Sequence, residues 1–154
     1  MKKIIFILSL FLLSNNCLAA GGSDGSNKTD LYKAAKKLIL KAKKLEKKDK
    51  VEKALTLYSK AYDKLIKAYD KDKKNPDILN YLGYTLRKTG DFEKAETYYL
   101  KGLELDAEHL GINEYLGELY VQTNRIDLAK ERLSVLKGCN CEEYEELKEL
   151  IEKK

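Results

Sequence analysis

Tryptophan is absent from this 154-residue chain, and proline and histidine occur once each. One proline leaves almost nothing to interrupt long helices. A lone histidine, His109, rules out a Ser–His–Asp triad elsewhere and makes a histidine-rich metal centre impossible. Cysteine is scarce too, at three residues, so no disulfide framework can replace a hydrophobic core. Arginine is confined to Arg87, Arg125 and Arg132, and lysine supplies the remaining basic charge. No glycine-rich phosphate loop and no nucleophile elbow can be found, so no catalytic residues and no cofactor are assigned. What is present is a chain 36% charged and rich in Lys, Glu, Leu, Ala and Tyr, which reads as all-α.

The first residues have the layout of a secretory signal. Lys2 and Lys3 precede the apolar run IIFILSLFLL at 4–13, too short for a permanent membrane span, and small residues follow. Cys17-Leu18-Ala19 fits a cleavage triplet, giving a signal peptide over 1–19 and a periplasmic protein with no transmembrane helix after its removal. Lipid anchoring through Cys17 is disfavoured, because the places for Leu and a small residue before the cysteine hold Ser14 and Asn16. The mature chain would carry 28 basic and 25 acidic residues, too balanced a charge to favour nucleic acid. Basic residues cluster at 33–50 and acidic ones at 141–154, an asymmetry compatible with head-to-tail association or with two solvated helix faces.

Residues 20–30, glycine- and serine-rich, read as a flexible linker, with Asp30 expected to cap a helix starting at Leu31. The stripe Leu38, Ala42 and Leu45 is expected to face inward from that helix, which would run to about Lys48. A second helix is predicted from about Val51 to Asp72, because Val51, Leu55, Tyr58, Tyr62, Leu65 and Tyr69 keep one helical stripe. Asn75-Pro76 ends it.

Beyond this point the chain repeats itself. Tyr81-Leu82-Gly83 precedes Tyr115-Leu116-Gly117 by 34 residues, as Ala95 precedes Ala129 and Gly90 precedes Asn124. Two amphipathic helices per 34-residue unit resemble the tetratricopeptide-repeat (TPR) family, and the tail CEEYEELKELIEKK at 141–154 resembles the cysteine-containing ends of its small exported bacterial members. Unit 76–109 supplies Leu79, Leu82, Gly83, Leu86, Ala95, Tyr99 and Gly102 at the family's characteristic places. Unit 110–143 supplies Asn113, Leu116, Gly117, Tyr120, Ala129, Leu133 and Leu136. Asn113 and Leu136 depart from the pattern and predict a looser end. Gly83 and Ala95 are small where two helices cross closely, Leu82, Leu86, Tyr99 and Leu103 lie on buried stripes, and Gly90 and Asn124 suit a left-handed turn.

The resemblance implies a right-handed helical solenoid over 31–154. It comprises a degenerate repeat at 31–75 with a long second helix, repeats at 76–109 and 110–143, and a capping helix at 141–154. Asn140 is expected to cap that last helix, with Glu143 completing a capping box and Leu147, Leu150 and Ile151 facing inward.

The resemblance also implies a concave face that binds a segment of a partner, here another envelope protein or peptide. Its family places correspond to Asp77, Asn80, Tyr84, Arg87 and Lys88 in one unit and Glu114, Glu118 and Gln122 in the next. TPR domains that grip a C-terminal carboxylate need Lys and Asn at first-repeat places held here by Ile39 and Lys43, so that specificity is not implied. Cys139 and Cys141 leave three readings open: a local disulfide, a redox pair, or bonding between chains. Cys139, Cys141 and His109 lack zinc-ligand spacing, so no metal is expected, and His109 is expected to be solvated in a turn. The alternatives to a binding scaffold are a thiol-redox accessory protein and weak homo-oligomerisation through the long first hairpin, whose Tyr62, Leu65 and Tyr69 are expected to stay partly exposed.

Overall fold

A computed structural model describes residues 27–154; the expected signal peptide, Cys17 and linker residues 20–26 lie outside them. Among the described residues seven helices follow one another: α1 (Lys28–Glu46), α2 (Val51–Lys71), α3 (Pro76–Thr89), α4 (Phe92–Leu105), α5 (Leu110–Gln122), α6 (Ile126–Leu136) and α7 (Glu142–Glu152). They pack as the pairs α1/α2, α3/α4 and α5/α6, with α7 laid against the last pair, and form the expected helical solenoid. Among the described residues no helix is long and apolar enough to cross a membrane.

The punctuation has local causes. Asn75 accepts a bond from the Ile78 N–H at 3.2 Å while Pro76 occupies the first turn, where its missing N–H costs nothing. Gly90 ends α3 at φ 91°, and Asn124 takes the matching left-handed place at φ 59°. The seven extra residues of the first unit do lengthen α2, to 21 residues against 14 in α4. Seven residues make nearly two turns, so the buried stripe stays on one side.

Several local expectations are corrected. The first helix opens at Lys28, three residues before the expected Leu31, because Asn27 caps it by accepting from the Asp30 N–H at 2.9 Å. Lys28 also pairs with Asp72 at 2.6 Å, tying the start of α1 to the end of α2. The buried stripe of α1 is Leu31, Ala35, Ile39 and Ala42; Leu38 and Leu45 are half-buried. In α2 the stripe is Ala54, Tyr58, Ala61, Leu65 and Ala68, and Val51 is exposed. Alanines seven apart let these long helices approach closely, which a count of large apolar residues overlooks. Of the residues expected to stay partly exposed, Leu65 is fully buried, whereas Tyr62 and Tyr69 are half-buried, Tyr69 packing edge-on against Tyr98.

The repeats nest as their small residues require. Gly83, Ala95, Gly117 and Ala129 are all buried. A β-carbon on Gly83 would stand 2.5 Å from the Tyr99 ring, inside van der Waals contact. Gly117 makes the equivalent room for a different helix, receiving Leu147 of α7. The end of the array is not loose. Asn113 is fully buried, donates to the carbonyls of Ala107 and His109 at 3.0 and 3.1 Å, and accepts from Arg132 at 3.3 Å. Leu136 is likewise fully buried.

Asn140 does not cap α7. It sits at φ 50° inside a turn in which Cys139 and Cys141 are joined by a disulfide, with Cα atoms 5.2 Å apart, and Cys141 takes the cap position without a side-chain bond. Leu147 is buried and Leu150 and Ile151 half-buried, as a cap needs.

Replacing Gly83 with Val should lower unfolding stability by about 2–3 kcal/mol through overpacking on Tyr99. Gly90→Ala should cost about 1 kcal/mol through its left-handed backbone alone, since nothing lies near its missing β-carbon. Urea denaturation of both variants checks the order.

Candidate functional site

The inner face of the solenoid is formed by α1, α3 and α5, with α7 at its far end. The residues expected there divide sharply by accessibility. Tyr84, Arg87, Asn80 and Glu114 are each no more than 5% exposed, whereas Lys88 and Glu118 are half-buried and Gln122 is exposed. Exposure was expected for the whole set. The solenoid is tightly coiled, so neighbouring inner helices and the ends of the array cover the residues of its middle.

Tyr84 is the hub. Its ring lies 4.8 Å from Tyr115, 5.8 Å from Tyr58 and 6.4 Å from Tyr81, measured between centroids. The Arg87 guanidinium stands 5.4 Å from the Tyr84 ring and pairs with Glu118 at 2.6 Å. Burial would lower the Arg87 pKa, but Tyr99 and Glu118 more than offset it and hold the charge. The Tyr99 hydroxyl and Arg87 Nε are coupled electrostatically inside the core, yet neither makes a hydrogen bond of good geometry. Burial pushes the Tyr84 and Tyr115 hydroxyls well above the ordinary phenol value, so both remain protonated. Lys88 reaches Glu46 at 2.8 Å, and the same carboxylate accepts from the Tyr58 hydroxyl at 2.8 Å. Asn80 packs over Gly111, with its side-chain oxygen buried and unpaired.

The accessible part of this face comes from residues the repeat pattern did not single out. Lys36 lies 5.5 Å from the Tyr32 ring and 5.4 Å from that of Tyr81. Lys43 lies 4.9 Å from Tyr84 and 5.5 Å from Tyr115, and donates to the Tyr115 hydroxyl at 3.4 Å. Each ammonium thus rests between two rings, and neither meets a carboxylate among the described residues. Both lysines are half-buried, as are Tyr32, Tyr81 and Tyr115. Seven-residue spacing puts Lys36 and Lys43 on one side of α1, but only tertiary packing reveals the tyrosines beneath them.

At the far end, Glu114, Glu118 and Glu146 bring carboxylate oxygens within 4.8 Å of one another. Burial, a hydrogen bond to Glu146 and the charges of Glu118, Glu146 and Glu143 push the Glu114 pKa up to about 9. Glu114 is therefore protonated at neutral pH, and Arg87 balances Glu118. The cluster is largely neutralised from within. His109, expected to be solvated, instead caps α5: Nδ1 accepts from the Ile112 N–H at 3.2 Å, and Nε2 faces Asp77 at 3.5 Å. Asp77 itself is exposed and serves this contact.

The helix-pair architecture defines a repeat solenoid, and its central unit matches a known family. Residues 76–109 match the family model of the tetratricopeptide repeat. Three solved structures share the fold. The type III secretion translocator chaperone SycD of Yersinia enterocolitica is 17% identical with a TM-score of 0.55, over 79% of this chain and 88% of that one. SycD in complex with a peptide of the translocator YopD is 18% identical with a TM-score of 0.54, over 77% and 86%. The second TPR domain of human RPAP3 in complex with the HSP70 peptide SGPTIEEVD is 17% identical with a TM-score of 0.54, over 83% and 100%. No curated protein matches the chain in sequence. Residues 76–109 are thus a tetratricopeptide repeat by sequence, and the chain shares the helical fold of these structures.

The raised Glu114 pKa sets a pH dependence. A carboxyl that titrates near 4.5 when unfolded and near 9 when folded keeps a proton that the unfolded chain gives up. Its contribution is complete below about pH 4.5 and is lost progressively as pH rises towards 9. Glu114→Gln should therefore match the parent near pH 4 and exceed it by at least about 1 kcal/mol near pH 8.5. Urea midpoints at the two pH values test this.

Proposed function

We propose that this protein is a non-enzymatic interaction scaffold of the bacterial envelope, whose inner face holds a segment of another envelope protein. The observation that carries the reading is the pair Lys36 and Lys43, each seated between two tyrosine rings and lacking a carboxylate partner among the described residues. Rings already ordered by packing lose little entropy on binding, and a cation above them can meet a partner's carboxylate or carbonyl. Two solved structures of this fold, SycD with a YopD peptide and RPAP3 with an HSP70 peptide, are complexes with partner peptides and support the reading. Within the expected set, Lys88, Glu118 and Gln122 flank the face. Asn80, Tyr84, Arg87 and Glu114 support it from below.

Export is part of the proposal, resting on the signal-like residues 1–19. Isolation from the periplasmic fraction of a chain starting at Ala20 is the expected result; a chain that keeps residues 1–19 in the cytoplasm contradicts it. The thiol-redox reading rests on Cys141 at the start of α7, where the helix dipole would stabilise a thiolate. Thiol trapping separates the two readings. A bridge that resists mild reduction and yields no mixed disulfides fits the scaffold, whereas accumulation of mixed disulfides favours redox chemistry.

For the binding face, a photo-crosslinking residue is placed at position 81 in the protein as made by its own cell. Captured partners should appear there and be absent from a control at position 100 on the outer surface. Lys36→Ala/Lys43→Ala should reduce capture about tenfold while leaving the circular dichroism unchanged. Undiminished capture by that variant would mean the partner binds elsewhere.

A further inference from the structure

The two ends of the solenoid differ in charge and in covering. Helix α1 carries seven lysines against two acidic residues, and α7 carries six glutamates against one lysine. These charges are laid out in stripes. Lys33, Lys37, Lys41 and Lys44 are exposed along α1, opposite its buried Leu31, Ala35, Ile39 and Ala42. Glu142, Glu145, Glu149 and Glu152 are exposed along α7, opposite its buried Leu147.

The N-terminal end has no capping helix among the described residues. Two clefts open along the α1–α2 seam instead. One, of about 320 Å³, has Leu45 and Leu57 at its floor and Lys41 and Lys53 at its rim. The other, of about 350 Å³, is lined by Leu38, Lys60, Lys64 and Lys67 with Asp63. Leu40, 57% exposed, projects from the lysine stripe itself. The C-terminal end presents its own cleft of about 220 Å³, where Tyr144 of α7 meets Leu133 and Ser134 of α6, with Lys130 and Lys137 also lining it. The N-terminal end thus combines partly covered apolar seams with a lysine stripe, the C-terminal end carries a glutamate stripe along α7, and the two stripes are of opposite sign.

We propose that the lysine-rimmed outer face of α1 and α2 docks the glutamate-bearing face of α7 from a second copy, so that molecules stack end to end. Such a contact is heterologous: it leaves one free end of each kind and propagates into open chains rather than closing as a dimer. Exposed Leu40 and the seam leucines of α1 and α2 supply apolar contact area, and opposite charge between the α1 and α7 stripes sets direction and register, since a head-to-head contact would juxtapose lysines. Attraction between solvated charges weakens with salt, so assembly should be strong only at low ionic strength. The inner face is not used, and an assembled molecule keeps its binding site.

Charge exchange tests this. Sedimentation velocity of the protein purified from the cells that make it should show mass rising with concentration at about 0.03 M salt and a monomer at about 0.5 M. Lys41→Glu/Lys60→Glu and Glu145→Lys/Glu152→Lys should each weaken association at least tenfold. Mixing the two variants, or combining all four changes in one chain, should restore it to within about threefold, because the surviving contacts again pair opposite charges. Restoration also shows that both variants fold. A wild-type protein that stays monomeric at low salt overturns the proposal. So does association that either reversal leaves intact, or that exchange does not restore. A monomer that instead co-sediments with phosphatidylglycerol vesicles overturns it and assigns the basic face to a lipid surface.

Discussion

The whole structure depends on one close approach, the ring of Tyr99 lying over the bare backbone of Gly83. Because α4 can come this near, α3 is enclosed by α2, α4 and α5, and nine of its fourteen residues are buried. A helix enclosed in this way must bury polar side chains with the apolar ones. Arg87 and Asn80 enter the interior for that reason, and Arg87 finds its counter-charge on α5, in Glu118. Gly117 repeats the device one unit later, with Leu147 of the cap in place of a tyrosine.

A buried arginine and a cluster of buried tyrosines create an inner wall that is ordered before any partner arrives. Tyr84 joins Tyr58, Tyr81 and Tyr115 into a continuous aromatic layer across three helices. Cations can rest on this layer without a carboxylate partner, because the ring faces supply negative potential. Lys36 and Lys43 are held in this way at the accessible level, while Arg87 and Lys88 are committed to Glu118 and Glu46. The wall is consequently structural in its depth and available for recognition only at its rim. The long first hairpin contributes that rim, which is why the proposed binding reading centres on the degenerate unit.

What the sequence by itself determined was the pitch: small residues 34 apart, the left-handed turns at Gly90 and Asn124, and the two extra turns of α2. These signals are local or strictly periodic, and backbone geometry reads them without knowledge of neighbours. Helix caps were less legible, since Asn27 and Asp30 are chemically similar claimants three residues apart, and Asn140, the better capping residue by type, lies one place before the position that Cys141 takes. The N-terminal contact between Lys28 and Asp72 and the bridged turn at Cys139–Cys141 decided between them. Only the tertiary structure decided the depth of Tyr84, Arg87 and Glu114. Their exposure depends on how tightly successive pairs coil and on α1 and α7 folding over the middle, and no single helix carries that information.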